Sequence, residues 1–285
     1  MLLNDLLRRI EAWNVLDPVT DGLGAVVSRL TDATPVKNLL HGSWLGHPVH
    51  PLLTDLPIGA WTWAAVLDVG GGRSAAPAAD ALVALGVATS VPTAMTGAAD
   101  WADYNDERVR RVGLVHAVVN TTAVGLQVAS LVARRRGRRG RGVALSLAGL
   151  GAVAAGGYLG GHLAYGLGSG LDRTAFEPVP DEWHDAGEWA LLGDGRPHKT
   201  RAGDVDVVVV AEGNDLHTLV DRCNHMGGPL SEGELVGACI RCPWHASTFR
   251  LADGEVVRGP ATAPQPVLET RAVDGRVEVR AAHRP

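Results

Sequence analysis

The amino-acid sequence predicts an all-α, four-helix transmembrane bundle followed by a small all-β domain of antiparallel sheets. Three observations predict it. Charges nearly vanish from four long Ala-, Val-, Leu- and Gly-rich segments between residues 50 and 171. From Trp183 onward the pattern changes to short β-branched runs of period two, separated by turn residues. Two Cys/His pairs, Cys223/His225 and Cys242/His245, then fall in loops of that second half. At 285 residues the chain has room for two domains. The expected division is an amphipathic segment over 1–40, the bundle over 41–168, a linker over 169–182 and the β domain over 183–285.

Leu2, Leu3, Leu6, Leu7, Ile10 and Trp13 follow helical spacing, and Asp5, Arg8, Arg9 and Glu11 interrupt them. This is an amphipathic helix lying on the membrane or on the bundle, not a cleavable signal peptide. The expected spans are 51–69, 81–99, 112–133 and 143–171. The second and third are charge-free runs of 19 and 22 residues, and about 20 apolar residues cross a bilayer core. The first is weaker, because Asp55, Pro57 and Asp68 sit in or near it. Gly156-Gly157 and Gly160-Gly161 would let helix backbones approach closely. An unusually apolar soluble bundle is the alternative reading of this half.

The loop ARRRGRRGRG between spans three and four holds six Arg, against three and one in the other two loops. The positive-inside rule makes that loop cytoplasmic and puts the β domain on the outer face of a bacterial plasma membrane. Arg138-Arg139 followed by the apolar run from Val143 loosely resembles an internal twin-arginine export signal, and a plain topology anchor explains it equally well.

Gly166 to Trp183, with its Gly-Leu-Gly-Ser-Gly run, Pro178 and Pro180, reads as a linker. Expected strands follow at 205–211, 216–221, 236–241, 247–251, 267–273 and 275–280. Turns are expected at 212–215, Asp253-Gly254 and Asp274-Gly275. Residues 172–285 carry 12 basic and 19 acidic side chains, 12 − 19 = −7, which does not favour nucleic acid. Three Cys exclude a disulfide framework, and Cys239 reads as a strand residue.

The pattern C-x-H-x16-C-x2-H gives each loop one thiolate and one imidazole, unlike the usual zinc finger with its Cys pair and His pair on separate elements. Two such loops can clasp a cluster from both sides. The stretch CNHMGGPLSEGELVGACIRCPWHASTF closely resembles the Rieske iron-sulfur family. That resemblance implies a small all-β Rieske domain with a [2Fe-2S] cluster, held by Cys223 and Cys242 on one iron and His225 and His245 on the other. It also implies that the loop from Gly259-Pro260 to Pro264 covers the cluster. High-potential family members carry an extra disulfide between the ligand loops, and Ser and Tyr donors after the last His. Here Gly228 and Trp244 stand in place of that disulfide, Ser247 is present and Phe249 replaces the Tyr. A potential in the lower or middle Rieske range is expected, tuned by Trp244, Ser247, Phe249 and Pro260.

The stretch HGSWLGHPVHPLLTDLPIG resembles the Gly-His-Pro-x-His-Pro signature of an uncharacterised four-helix bacterial membrane family, over roughly residues 41–168. With alternating spans, His47, His50, His116 and His162 share one membrane face. At about 1.5 Å per residue, His116 and His162 lie at matching depth, as axial ligands of a b-type haem would. His47 and His50 are candidates for a second pair, a metal site or a quinone contact; interfacial packing is the alternative for all four. Asp55 and Asp100 share the face, either as proton relays or merely solvated.

The function these readings imply is membrane-bound electron transfer, a redox component rather than a stand-alone catalyst. Expected partners are membrane lipid and a redox protein or quinone. The alternatives are a membrane-anchored redox sensor or accessory subunit. An oxygenase would need a mononuclear iron site from elsewhere. Sequence leaves the oligomeric state open.

Overall fold

The computed structural model describes residues 2–213 and 215–282. The last three residues of the expected β domain and Asn214 of the expected 212–215 turn lie outside the described residues. The chain divides into two compact units, one of residues 1–32 and 49–169, the other of 33–48 and 170–285.

The first unit is helical. It contains α1 (Leu2–Glu11), α2 (Asp17–Thr31), α4 (Val49–Gly70), α5 (Ala76–Ala102), α6 (Glu107–Arg135) and α7 (Arg139–Gly161), the last extended by a π turn over His162–Gly166. Among the described residues, three helices are long and apolar enough to cross a membrane: Arg73–Ala102, Glu107–Arg135 and Arg139–Gly166. The helix α4 is continuous, but with Asp55, Pro57 and Asp68 it does not join them. The Leu7 and Ile10 side chains of α1 bury against Val112 and Leu159 of α6 and α7, while Leu3 and Leu6 of the same apolar stripe stay exposed.

One end of this unit is closed by buried ions. Arg134, whose side chain is 1% exposed, reaches Asp68 and Asp80 (Nη1 to Asp80 Oδ1, 2.7 Å). Arg139 donates to Asp68 at 2.6 Å and to Asp80 at 2.8 Å. The end of α4, the start of α5, the end of α6 and the start of α7 therefore meet there, and the four helices alternate in direction. Arg139, half of the twin-arginine pair, is part of this network. Gly156 and Gly160 make room for the Asn120 and His116 side chains of α6, while Gly157 and Gly161 have open space at their Cβ positions.

The second unit holds α3 (Thr34–His41) and ten strands: β1 (His184–Glu188), β2 (His198–Ala202), β3 (Val205–Glu212), β4 (Asp215–Val220), β5 (Glu234–Leu235), β6 (Cys239–Arg241), β7 (Thr248–Arg250), β8 (Val256–Arg258), β9 (Val267–Val273) and β10 (Arg276–Ala281). They form an antiparallel six-stranded sheet, β1-β10-β9-β4-β3-β2, and an antiparallel four-stranded sheet, β5-β6-β7-β8. The unbroken valines of β3 have a physical reason. Val205, Val207 and Val209 enter one core with Val277 and Val279, while Val208 and Val210 enter a second with Ile240 and Phe249. A strand buried on both faces reads as a continuous apolar run. At the β9–β10 hairpin, Asp274 and Gly275 both have positive φ (51° and 78°), as a two-residue turn there requires.

Candidate iron-sulfur site

Both ligand loops grow from the second core. Cys223 and Cys242 are buried in it beside Leu230, Ile240 and Phe249, so the thiols are fixed by packing while the His225 and His245 rings stand half-buried at the tips.

The loops have the same backbone plan. Cys223 N–H donates to Gly228 O and accepts at its own carbonyl the N–H of Gly227, both at 2.8 Å. Cys242 N–H donates to Ser247 O at 2.8 Å and its carbonyl accepts Ala246 N–H at 3.1 Å. Gly227 (φ 83°) and Ala246 (φ 59°) occupy the same left-handed position, four residues after each Cys. The histidine is two residues after the first Cys and three after the second.

The structure brings the two imidazoles together and the two sulfurs together. The His225 and His245 ring centroids are 5.0 Å apart with planes at 87°. The two thiols hydrogen-bond each other. Cys242, as acceptor of the Cys223 thiol and of the Trp244 and His245 amides, is lowered to about 7, whereas Cys223 is pushed up by that bond and by burial. The His225 and Met226 amides point at the Cys223 sulfur in the same way. Each sulfur thus sits in a nest of backbone N–H groups suited to a thiolate. Among the described residues, no three His, Cys, Asp or Glu side chains surround one point as a single metal ion requires. Two thiols on paired loops with two imidazoles are the donor set of a two-iron Rieske cluster, and the one-thiolate, one-imidazole composition of each loop differs from the usual zinc finger.

The residues expected to tune the site have distinct places. Gly228 and Trp244 adjoin: a Cβ on Gly228 would lie 3.0 Å from the indole and 2.9 Å from Cys242 Sγ. All three cysteines are free thiols, Cys239 lying in β6. Ser247 is fully buried and its Oγ accepts Ala261 N–H at 3.0 Å. Phe249 is a core residue of β7, Trp244 is half exposed and Pro260 is buried. Sequence reasoning missed Asn224 and Gln265. Asn224 donates from Nδ2 to Ala263 O at 2.7 Å, and its N–H donates to Gln265 Oε1 at 2.9 Å. The Asn-His pair inside the first ligand motif was the signal available for them.

The other histidines each have their own setting. His47 is exposed in a turn of the second unit. In the helical unit, His50 Nδ1 bonds Thr93 O at 3.0 Å, His116 Nδ1 bonds Gly156 O at 2.9 Å, and His162 Nε2 pairs with Glu11 Oε1 at 2.8 Å. Asp55 is exposed and Asp100 half-buried.

Residues 182–271 match the Rieske [2Fe-2S] domain, and residues 46–173 match a predicted membrane protein family (DUF2231). The anthranilate 1,2-dioxygenase ferredoxin subunit of Burkholderia cepacia is 34% identical over 98 residues, 34% of this chain and 91% of that protein. The chain belongs to the Rieske [2Fe-2S] family. Ferredoxin CarAc of Metapseudomonas resinovorans is 34% identical over 28% of this chain and 74% of its own length. An oxygenase component, the 3-ketosteroid-9-alpha-monooxygenase of Rhodococcus rhodochrous, is 42% identical over 22% of this chain but only 17% of its own. A solved ferredoxin–oxygenase complex of carbazole 1,9a-dioxygenase aligns with 34% of this chain and 92% of that one, at 29% identity and a TM-score of 0.32. The protein is thus a Rieske electron-transfer domain fused to a DUF2231 membrane domain, and [2Fe-2S] is the cofactor of its Rieske family.

Proposed function

We propose that the protein is a membrane-anchored electron carrier whose Rieske unit holds a [2Fe-2S] cluster through Cys223 and Cys242 on one iron and His225 and His245 on the other. The observation that carries this is the pair of matching loops, each offering one buried sulfur in an amide nest and one half-exposed imidazole. A Rieske cluster, when bound, supplies one-electron chemistry at a potential above that of plant-type ferredoxins. The chain does the rest: the core withholds the thiols from water, and the imidazoles form the edge nearest solvent, where a partner would approach. The relatives named as ferredoxin subunits support a partner protein as electron acceptor or donor, with quinone and lipid as further candidates. Iron and sulfide analysis with EPR of membrane-purified protein tests the reading; a chain without a Rieske signal overturns it.

In the membrane domain we propose four bacterial plasma-membrane spans, with α4 as the first, followed by a linker over 169–182 and a Rieske domain over 183–285; residues 33–48, expected to divide between an amphipathic segment (1–40) and the bundle (41–168), group instead with the β unit. The pairing of buried Asp68 with Arg134 and Arg139 supports this, because it neutralises a charge that weakens α4 as a span. The Arg-rich α6–α7 loop supports a cytoplasmic position for that end and an outer one for the Rieske domain; a C-terminal reporter active only in the cytoplasm would reverse it. The hydrogen bonds of His50, His116 and His162 favour structural roles for these rings. A haem b or quinone at His47, His50, His116 or His162 would have to coexist with those bonds or exchange them, and a visible spectrum without haem bands removes the haem reading. A redox sensor is the second reading, separated from a carrier by whether quinol or a ferredoxin partner reduces the cluster.

A further inference from the structure

Residues 259–265 form a loop that touches both ligand loops. Ala261 N–H reaches Ser247 Oγ, five residues after Cys242, and the carbonyls of Ala263 and Pro264 accept from Asn224, between Cys223 and His225. This loop is also held from far upstream. Asn38 of α3 accepts Gly259 N–H at Oδ1 (2.8 Å) and donates from Nδ2 to Val257 O (3.0 Å), and Ser43 donates from Oγ to Ala261 O (2.9 Å). The fit is close: a Cβ on Gly259 would come within 2.9 Å of Ser43 Oγ.

The chain bearing Asn38 and Ser43 belongs to the β unit although helical-unit segments flank it on both sides. The C-terminal turn of α3 is closed by Gly42 N–H donating to Asn38 O at 3.0 Å, with Gly42 at φ 95°, and by Trp44 Nε1 donating to Leu39 O at 3.3 Å. The Asn38 side chain is not needed to cap the helix, and its donor and acceptor both go to the loop.

We propose that Asn38 and Ser43 are positioning residues for the iron-sulfur site: they seat the 259–265 loop across both ligand loops, and so govern how tightly the cluster is covered. This rests on the cluster reading above. Covering matters because solvent exposure and hydrogen bonding around the sulfurs set both potential and lability. The Ser43–Ala261–Ser247 chain leads from the upstream segment to the Ser247 hydroxyl at the end of the second ligand loop.

The test uses full-length protein purified from membranes. In the Asn38→Ala/Ser43→Ala double variant, amide exchange of residues 257–263 should rise several-fold, the cluster should bleach several-fold faster in chelator, and its midpoint potential should move. Ser43→Thr, which keeps the hydroxyl, should restore wild-type behaviour. Gly259→Ala should reproduce the loosening and be partly relieved by Ser43→Ala, which empties the contacted space. Unchanged exchange and bleaching in the double variant overturn the proposal. Should that variant not accumulate, the Ser43→Ala and Gly259→Ala pair decides by the same readouts. A wild-type chain lacking the Rieske signal would sink the cluster reading instead, while amide exchange still decides the clamp.

Discussion

The histidines of the two units make opposite use of one side chain. In the helical unit, His50, His116 and His162 each commit a ring nitrogen to a carbonyl or carboxylate of the bundle, each to a different partner. In the β unit, His225 and His245 come edge to face at 5.0 Å beside two buried, hydrogen-bonded thiols. Ionisable groups at membrane depth are functional candidates by default, yet a ring bonded across two helices already explains its own presence. Convergence, rather than residue type, separates a ligand set from a packing set.

Replacing ligands gives the largest contrast. Cys223→Ser, Cys242→Ser, His225→Ala or His245→Ala should abolish the Rieske EPR signal and bound iron, whereas His116→Ala or His162→Gln should leave both intact and cost about 1 kcal/mol of stability from a lost hydrogen bond. A cluster lost with His116, or a haem band lost with it, would break the distinction.

This contrast also marks what the sequence disclosed. Cys/His spacing and flanking glycines were enough for the cluster loops, because a motif on two short turns is local. Six strands were legible from β-branched runs, but β1, β2, β5 and β8 escaped: HDAGE and HKTRA bury only Ala186 and Ala202 fully, and the other two are only two and three residues long. Asn38 and Ser43 were not legible at all, since their partners lie about 220 positions away. The four helices alternate in direction, and two arginines of the Arg-rich stretch, Arg134 and Arg139, have a structural place as the partners of Asp68 and Asp80.

A second prediction asks whether buried polar groups of the helical unit are as interdependent as the ligand set. Arg134→Met strands Asp68, 0% exposed, with one partner fewer, and should cost about 3 to 5 kcal/mol in detergent unfolding. The Asp68→Leu/Arg134→Met double variant should recover much of this, and the cluster spectrum should not change in either. A spectral change would join two regions that the hydrogen bonding keeps separate.

Within the β unit, the missing loop disulfide and Tyr hydroxyl sharpen what makes one Rieske site differ from another. Cysteines introduced at Gly228 and Trp244 together, positions that already adjoin, should raise the midpoint potential, and Phe249→Tyr should raise it less, each on the order of tens of mV within the Rieske range. Redox titration checks both. A wild-type value already among the quinol-oxidising, high-potential members would show that other hydrogen bonds compensate.

The smallest effect distinguishes the ligand loops from each other. Their backbones match, but the shared left-handed position is Gly227 in one and Ala246 in the other, at φ 83° and 59°. A non-Gly residue there costs about 1 kcal/mol. Ala246→Gly should therefore stabilise the folded unit slightly, less the entropy that glycine adds to the unfolded chain, while Gly227→Ala should destabilise it, its new Cβ also pressing on Arg222 Nε at 3.2 Å. Thermal unfolding of the two variants side by side measures the difference. Equal responses would mean that the 259–265 loop, which reaches the second loop through Ser247 and the first through Asn224, offsets the strain at Ala246; opposite responses would mean that the second loop carries it unrelieved.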